Sequence, residues 1–414
     1  MFDRWYAEVL REKLTRPYVH LVFGARQTGK STLLRALLPP ETMTVDLADP
    51  RERTRHLANP GAFEDECRSL PADKKGQFVF VDEAQSAPSI FDAVQHLYDG
   101  NKTRWRFVLC GSSARKLRRI GANLLPGRSF YHRLLPLTLV EHPADQAPIS
   151  YAESPLRFAW NAGNEPERPF PASDLLTRLA FGELPGVVAA PESDRAELLR
   201  AFAVAHLEEE IRREALVKDW GAFVRFMQLA AAESGQVVNF AAISQESGVS
   251  QPTVKSHYQL LEDMFMGFRI EAFSGSSRKT LLSTPKFQFF DLGVRHAAAG
   301  LMARRDLVKV NPGGFFEQWV GIELWNRLQY LGDGKLYYLR TKDGAEVDFI
   351  IDRGGALTPI EVKWAENPTV QDARHLLAFL DEHPKQSKQG YIICRCPRPA
   401  RLHDKITALP WFCL

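Results

Sequence analysis

The chain has 414 residues, 45% of them hydrophobic and 25% charged, with a formal net charge of +3. That is an ordinary globular composition, and the length predicts about two to four domains. No apolar run approaches the roughly 20 residues of a membrane span, and Met1-Phe2-Asp3-Arg4-Trp5-Tyr6 opens no apolar secretory core, so neither a membrane partner nor an export leader is expected. Five cysteines, odd in number and sparse, point to a reducing, cytoplasmic setting. So small a net charge excludes reading nucleic-acid binding from the chain as a whole.

Residues 3–15 predict an amphipathic helix, and Tyr18-Val19-His20-Leu21-Val22-Phe23 a buried strand. Gly24-Ala25-Arg26-Gln27-Thr28-Gly29-Lys30-Ser31 follows and fits G-x-x-x-x-G-K-[ST]. Thr32 then leads a helix that stops at Pro39-Pro40. Strand, glycine-rich turn and helix are the context in which this pattern holds phosphates. The glycines let backbone N–H groups turn inward, and the helix N-terminus adds partial positive charge. Gly24, Arg26, Gln27, Thr28, Gly29, Lys30, Ser31 and Thr32 are therefore the expected ATP contacts. Lys30 would reach the β- and γ-phosphates, and Ser31 would ligate Mg²⁺.

Residues 43–47 read as a second strand and 51–75 as a charged helical stretch. A third strand, Gln77-Phe78-Val79-Phe80-Val81, ends in Asp82 and Glu83. Asp82 suits the Mg²⁺ contact and Glu83 the general base that orients the attacking water; a solvated acidic strand end is the plainer alternative. Residues 89–100 read as a helix. A fourth strand, from Arg106, ends in Gly111-Ser112-Ser113. There Ser112 or Ser113 would sense the γ-phosphate or cap a helix over 114–119. Arg128, after Leu124-Leu125-Pro126-Gly127, suits an arginine finger in cis or in trans. Arg133 is the fallback, and a surface arginine the plain alternative. From Asn101 to Val140 there are nine Lys/Arg and no Asp/Glu, a stretch that either attracts phosphate or is a solvated face.

The combination Gly24-Ala25-Arg26-Gln27-x-Gly29-Lys30, Asp82-Glu83-x-Gln85, Gly111-Ser112-Ser113, Gly127-Arg128 and Pro136-Leu137-x-Leu139-x-Glu141 resembles the large prokaryotic AAA-type ATPases (AAA_14) with a C-terminal domain of unknown function, DUF4143. The resemblance covers nearly the whole chain and departs at Tyr151 to Ala172, which reads as an insert or linker. It implies a homo-oligomer, a hexameric ring among the forms open to it.

Residues 173–215, interrupted by Gly182-Glu183-Leu184-Pro185-Gly186, read as a helical lid, with Glu208, Glu209 and Glu210 on a solvated face. Residues 236–261 read as helix, tight turn at Gly248, and a second helix capped by Ser250, with a strand over 266–273. The spacing resembles a winged helix-turn-helix. In a DNA reader Gln251, Thr253, Lys255, Ser256 and Gln259 would face the major groove; a helical module that only packs domains is the alternative.

Residues 286–291 read as a strand into the last domain. An apolar helix carrying Glu317 follows, then three strands in a row, with Asp348 on one and Glu361-x-Lys363 on the next. Glu361 and Lys363 point to one strand face. With Glu317 and Asp348 they form a hard-oxygen set for Mg²⁺ or Mn²⁺, Lys363 stabilising charge on a scissile phosphate. This resembles the PD-(D/E)xK nucleases, in the order shown by archaeal Holliday-junction resolvases, and implies duplex or branched DNA as substrate. A helix over 372–380 and a strand over 391–394 would complete that domain, and Cys394 and Cys396 read as neighbours on one strand face.

The expected fold is α/β: a P-loop AAA-type ATPase core over 1–150, an insert and helical lid over 151–215, a winged-helix module over 216–275, and a DUF4143, PD-(D/E)xK-like domain over 276–414. The expected function is ATP hydrolysis joined to Mg²⁺-dependent DNA cleavage. The alternative is an ATP-operated switch on DNA or protein whose tail does not cut.

Overall fold

The computed structural model describes residues 2–71, 76–112, 127–145, 170–203, 217, 219–275, 284–341 and 344–414. They divide into two compact units. The first comprises the described residues up to 135 together with 262–265, the second the other described residues. Ser113, the helix over 114–119, the turn 124–126, the insert up to residue 169 and Glu208–Glu210 lie outside the described residues.

The first unit runs α1 (Tyr6–Leu14), β1 (Val19–Phe23), α2 (Lys30–Leu37), β2 (Met43–Asp46), α3 (Pro50–Ala58), α4 (Ala62–Ser69), β3 (Gln77–Asp82), α5 (Ser89–Gly100), β4 (Trp105–Gly111) and β5 (Ser129–Arg133). The five strands are all parallel, in the order β2-β3-β4-β1-β5. Helices cover a parallel sheet on both faces, so its strands are apolar almost throughout. β1 is buried at every position, and Leu21, Val79, Val81, Phe107 and Leu109 build one core with Ile90, Phe91 and Val94 of α5. α2 ends one residue earlier than the apolar run suggests: Leu38 is extended, as a residue before proline prefers. The charged stretch divides into α3, capped by Asp49 with Pro50 in its first turn, and α4. Because β4 lies between β1 and β3, its C-terminal end opens beside both the loop after β1 and the acidic end of β3.

The second unit begins with α6 (Leu175–Phe181), α7 (Pro185–Val188) and α8 (Glu192–Ala201), then α9 (Trp220–Ala232), α10 (Phe240–Ser247) and α11 (Gln251–Asp263). α10 ends at Gly248 in the left-handed conformation (φ 78°), and Ser250 Oγ accepts from Thr253 N at the start of α11. Phe223 and Phe226 of α9 pack on His257 and Tyr258 of α11. β6 (Gly267–Ala272) and β7 (Lys286–Phe289) form an antiparallel pair, and β6 also pairs parallel with β8 (Lys335–Arg340). The expected boundary at 275/276 therefore falls inside one sheet.

That sheet has eight strands. It continues through β9 (Glu346–Arg353), β10 (Ala356–Val362) and β11 (Gly390–Cys394) to β12 (Ala400–His403) and β13 (Ile406–Pro410), in the order β12-β13-β11-β10-β9-β8-β6-β7. β12 and β13 were not expected from the sequence. α12 (Leu292–Ala298), α13 (Pro312–Leu331) and α14 (Arg374–Glu382) complete the unit. α13, capped by Asn311, is buried nearly all round. α14 places Leu376, Phe379 and Leu380 in one core with Ile392 and Cys394.

Candidate functional site

The loop after β1 is held by its own geometry. Gly24 has φ 154°, and a Cβ there would stand 2.1 Å from Leu134 O; Gly29, which caps α2, is left-handed at φ 88°. These two glycines are required by the close backbone approach and the turn. Thr28 Oγ1 donates to Ala25 O. Arg4, buried ahead of α1, donates to Thr28 O at 2.6 Å and to Leu135 O at 2.7 Å. Lys30, only 6% exposed, turns its ammonium into the loop and donates to Gly24 O at 2.9 Å and Ala25 O at 2.7 Å. Arg26, Gln27, Ser31 and Thr32 line the accessible side of the loop and helix start, none of them buried.

Asp82 and Glu83 end β3. Asp82 is buried, and Glu83 takes the left-handed region at φ 53°, a conformation a non-glycine residue holds only when its surroundings impose it. Ser112, buried at the end of β4, accepts from Gln85 Nε2 at 3.2 Å, and the same nitrogen donates to the Glu83 carboxylate. Arg35 of α2 lies 2.7 Å from Asp46 and 3.7 Å from Asp82. The donor set fits nucleotide and Mg²⁺: an ammonium resting on neutral carbonyls, a hydroxyl at Ser31 and a buried carboxylate at Asp82.

Of the two roles open to Arg128, in cis and in trans, its position bears on the first. The residue precedes β5, and its carbonyl accepts from Val19 N, so it stands at the N-terminal edge of the sheet. The loop lies beyond Phe23, about 13 Å further along β1 at roughly 3.3 Å per residue. Arg128 also pairs with Asp99 at 2.7 Å. It cannot act in cis. Arg133, the fallback, ends β5 opposite Phe23, at the edge where the loop lies. Its guanidinium covers the Phe265 ring at 4.7 Å, and burial lowers its pKa to about 10.

In the second unit Gln251, Lys255, Ser256 and Gln259 are exposed on α11 and Thr253 is half-buried, while Val254, His257, Tyr258 and Leu261 face inward. Lys255 lies over the Phe240 ring at 5.3 Å. The expected DNA-facing residues thus share one open face that carries one lysine and no arginine.

The tail cluster differs from its expectation. Lys286 of β7 is 3% exposed; it donates to Glu317 at 2.9 Å and lies 3.4 Å from Glu346. Asp348 Oδ2 accepts from Val362 N at 2.8 Å, and Lys363 donates to Glu361 Oε1 at 2.7 Å. Burial, then the charges of Glu317 and Glu361, push the Asp348 carboxyl well above the carboxylate range. Burial, reinforced by Glu317 and Glu346, raises that of Glu361 against the pull of Lys363. Among the described residues no group of three His, Cys, Asp or Glu is arranged to hold a metal ion. Glu317, Asp348 and Glu361 lie near enough to act on one another's charge, with Glu317 bonded to the internal Lys286. One feature keeps a cation-seeking character: among the described residues Glu361 Oε2 is buried with no hydrogen-bond partner.

The Gly182–Gly186 turn is structural. Glu183 is buried between Arg178, His142 and Trp319, and its N–H donates to Asp291 at 2.6 Å. Of the residues that reading the sequence missed, Arg35 stands one turn beyond Ser31 on α2, so its spacing was a usable signal. Arg4 and Lys286 act across long sequence separations and gave none.

Residues 16–142 match the AAA domain family, residues 312–414 the domain of unknown function DUF4143, and residues 172–305 the domain of unknown function DUF8612. The uncharacterized proteins Mb2031c of Mycobacterium bovis and Rv2008c of Mycobacterium tuberculosis are each 25% identical over 363 residues, 87% of this chain and 74% of theirs. An uncharacterized protein of Haemophilus influenzae is 24% identical over 321 residues, 76% of this chain and 73% of its own. Among solved structures, the Walker-type ATPase PABY2304 of Pyrococcus abyssi is similar at 16% identity and TM-score 0.46, covering 72% of this chain and 96% of that one. The Aeropyrum pernix Orc1 protein in complex with DNA follows at 15% identity and TM-score 0.29, covering 71% and 91%. The chain thus carries an AAA-type P-loop domain and a DUF4143 domain. No described helix is long and apolar enough to cross a membrane.

Proposed function

We propose that the chain hydrolyses ATP at the loop after β1 and works as a nucleotide-operated switch that grips DNA through the open face of α11. The observation that carries the reading is Lys30. A buried ammonium resting on the Gly24 and Ala25 carbonyls can exchange two neutral acceptors for phosphate oxygens at little cost. Ser31 and Asp82 would hold Mg²⁺, which would neutralise charge on the phosphates. Glu83 would take the proton of the attacking water, and Ser112 would donate to the terminal phosphate. Phosphate release by wild type, Lys30→Ala and Glu83→Gln tests it. The reading requires full turnover in wild type, none in Lys30→Ala and only a small residual rate in Glu83→Gln, which still binds ATP; equal release by all three would end it.

A second reading, in which the tail cuts duplex or branched DNA, is favoured by one observation, the buried and unpartnered Glu361 Oε2. It requires Glu317 to leave Lys286. A labelled four-way junction and a linear duplex, incubated with Mg²⁺ or Mn²⁺ with and without ATP, should stay intact on the switch reading. Cleavage by wild type that Glu361→Ala abolishes would install the second reading instead. The chain is further proposed to form a homo-oligomer in which Arg128 serves a neighbouring copy.

A further inference from the structure

Gln85 has no part in the scheme above. It lies in the 3-10 turn after Glu83 and is buried. Its amide nitrogen donates both to the Glu83 carboxylate and, at 3.2 Å, to Ser112 Oγ. An ionised carboxylate only accepts, so Nε2 must face Glu83, and that fixes which way the carboxamide points. Oε1 is then driven against the end of β4. There it is buried and, among the described residues, has no hydrogen-bond partner, an arrangement costly enough to need a reason.

The neighbouring strand is shaped to permit it. A Cβ on residue 111 would stand 2.3 Å from Gln85 Oε1 and 3.3 Å from its Cδ. Gly111 is not among the glycines with positive φ, so its missing side chain serves the carboxamide and not the backbone. The left-handed Glu83 is held from the other side by the same amide.

We propose that Gln85 is a positioning residue for ATP hydrolysis. One amide ties the carboxylate of the base Glu83 to the hydroxyl of Ser112, so a nucleotide that moves Ser112 also moves the base. Gly111 is part of the device because it makes room for the carboxamide. The proposal rests on the ATPase reading and names a coupling within that site.

The test measures kcat, KM and the affinity of a fluorescent ATP analogue for wild type, Gln85→Ala, Gly111→Ala, Glu83→Gln and the double variant Gln85→Ala/Glu83→Gln, with thermal melting as the check on folding. Loss of positioning should lower kcat of Gln85→Ala about tenfold to a hundredfold while nucleotide affinity stays within about twofold. Gly111→Ala, which removes no polar group, should show the same split, and it carries the test should Gln85→Ala fold poorly. The loss should vanish in the Glu83→Gln background, because residues acting as one unit do not add. An unchanged kcat in Gln85→Ala, a loss confined to affinity, or a full multiplicative loss on top of Glu83→Gln would each overturn it. A wild type without turnover would overturn the ATPase reading and this proposal together, a result distinct from a wild type that turns over and a Gln85→Ala that matches it.

Discussion

Each unit contains a buried lysine, and the two lysines do opposite things. Lys30 is 6% exposed and Lys286 is 3% exposed, so burial does not separate them. Their acceptors do. Lys30 donates to two backbone carbonyls of a glycine-rich loop, whereas Lys286 donates to the Glu317 carboxylate with Glu346 close by. An ammonium on neutral dipoles keeps its charge available for an anion. An ammonium on carboxylates has already spent it, and the pair is held by the cost of uncovering either charge. The contrast is why a buried lysine is left open to an anion in the first unit and closes an internally balanced cluster in the second.

The sharpest way to break this contrast is to remove each lysine. Lys30→Ala should leave the melting temperature close to wild type and lower ATP turnover by about 10³-fold or more, the scale of losing a preorganised charge on a transferring phosphoryl group. A turnover assay with a melting curve on the same sample checks it. Lys286→Met should do the reverse. Nucleotide affinity should persist, while unfolding free energy falls by about 3–5 kcal/mol, the usual consequence of stranding a buried charge. Adding Glu317→Gln to Lys286→Met should restore part of that loss in denaturant titrations. If Lys286→Met proves as stable as wild type, the tail cluster is not internally balanced and its carboxylates await another cation.

A buried histidine pair in the first unit sharpens the comparison, since it has no carboxylate and a single backbone carbonyl, Arg16 O, 3.3 Å from His20 Nε2. His20 and His132 stack between β1 and β5, His20 Nδ1 lying 3.1 Å from His132 Nε2, with Tyr6 Oη 3.1 Å from His132 Nδ1. Burial lowers the His20 pKa to about 4 and that of His132 to about 3, so both are neutral at pH 7. Their folded values lie below the unfolded value of about 6.5, so the unfolded chain binds the extra protons. Stability from this source is complete above about pH 6.5 and is lost as pH falls toward the folded values, at up to about 1.4 kcal/mol per pH unit for each histidine. Unfolding free energies measured between pH 7.5 and 5, for wild type and His20→Asn/His132→Phe, should show a steeper acid decline in wild type.

Local order made most of the first unit legible. Apolar strands, a glycine-rich turn and a proline stop fix β1, the loop and α2 from short-range rules, and the parallel sheet follows from alternating strands and helices. The second unit was legible only in pieces. β8 to β11 could be read from runs such as Glu346–Asp352. β12 could not, because Arg401 and His403 break the apolar signal on an edge strand, and the five-residue β13 beside it was missed with it. That β6 joins the tail sheet is a pairing of Glu271 with Tyr337, a contact across more than sixty residues that no local pattern announces. The same holds for the candidate sites. Gly24 to Ser31, Asp82 and Glu83 are one motif and its partner, whereas Lys286 of β7 meets Glu317 of α13 across 31 positions of the chain.

The smallest effect expected is at Arg128, and it concerns the edge of the first unit's sheet rather than its phosphate end. Its partner is Asp99 at 2.7 Å in a half-exposed pair, the kind of surface ion pair that contributes little. In dilute protein, where each chain acts alone, Arg128→Ala should change turnover by no more than about twofold. Arg133→Ala, at the loop end of β5, should cost more. If turnover per chain rises with wild-type concentration and that rise is lost in Arg128→Ala, the arginine reaches the phosphates of a second copy, and the edge that is inert in one chain is catalytic in the assembly. If the variant tracks wild type at every concentration, Arg128 is a surface residue, and any finger must come from the strand end that carries Arg133.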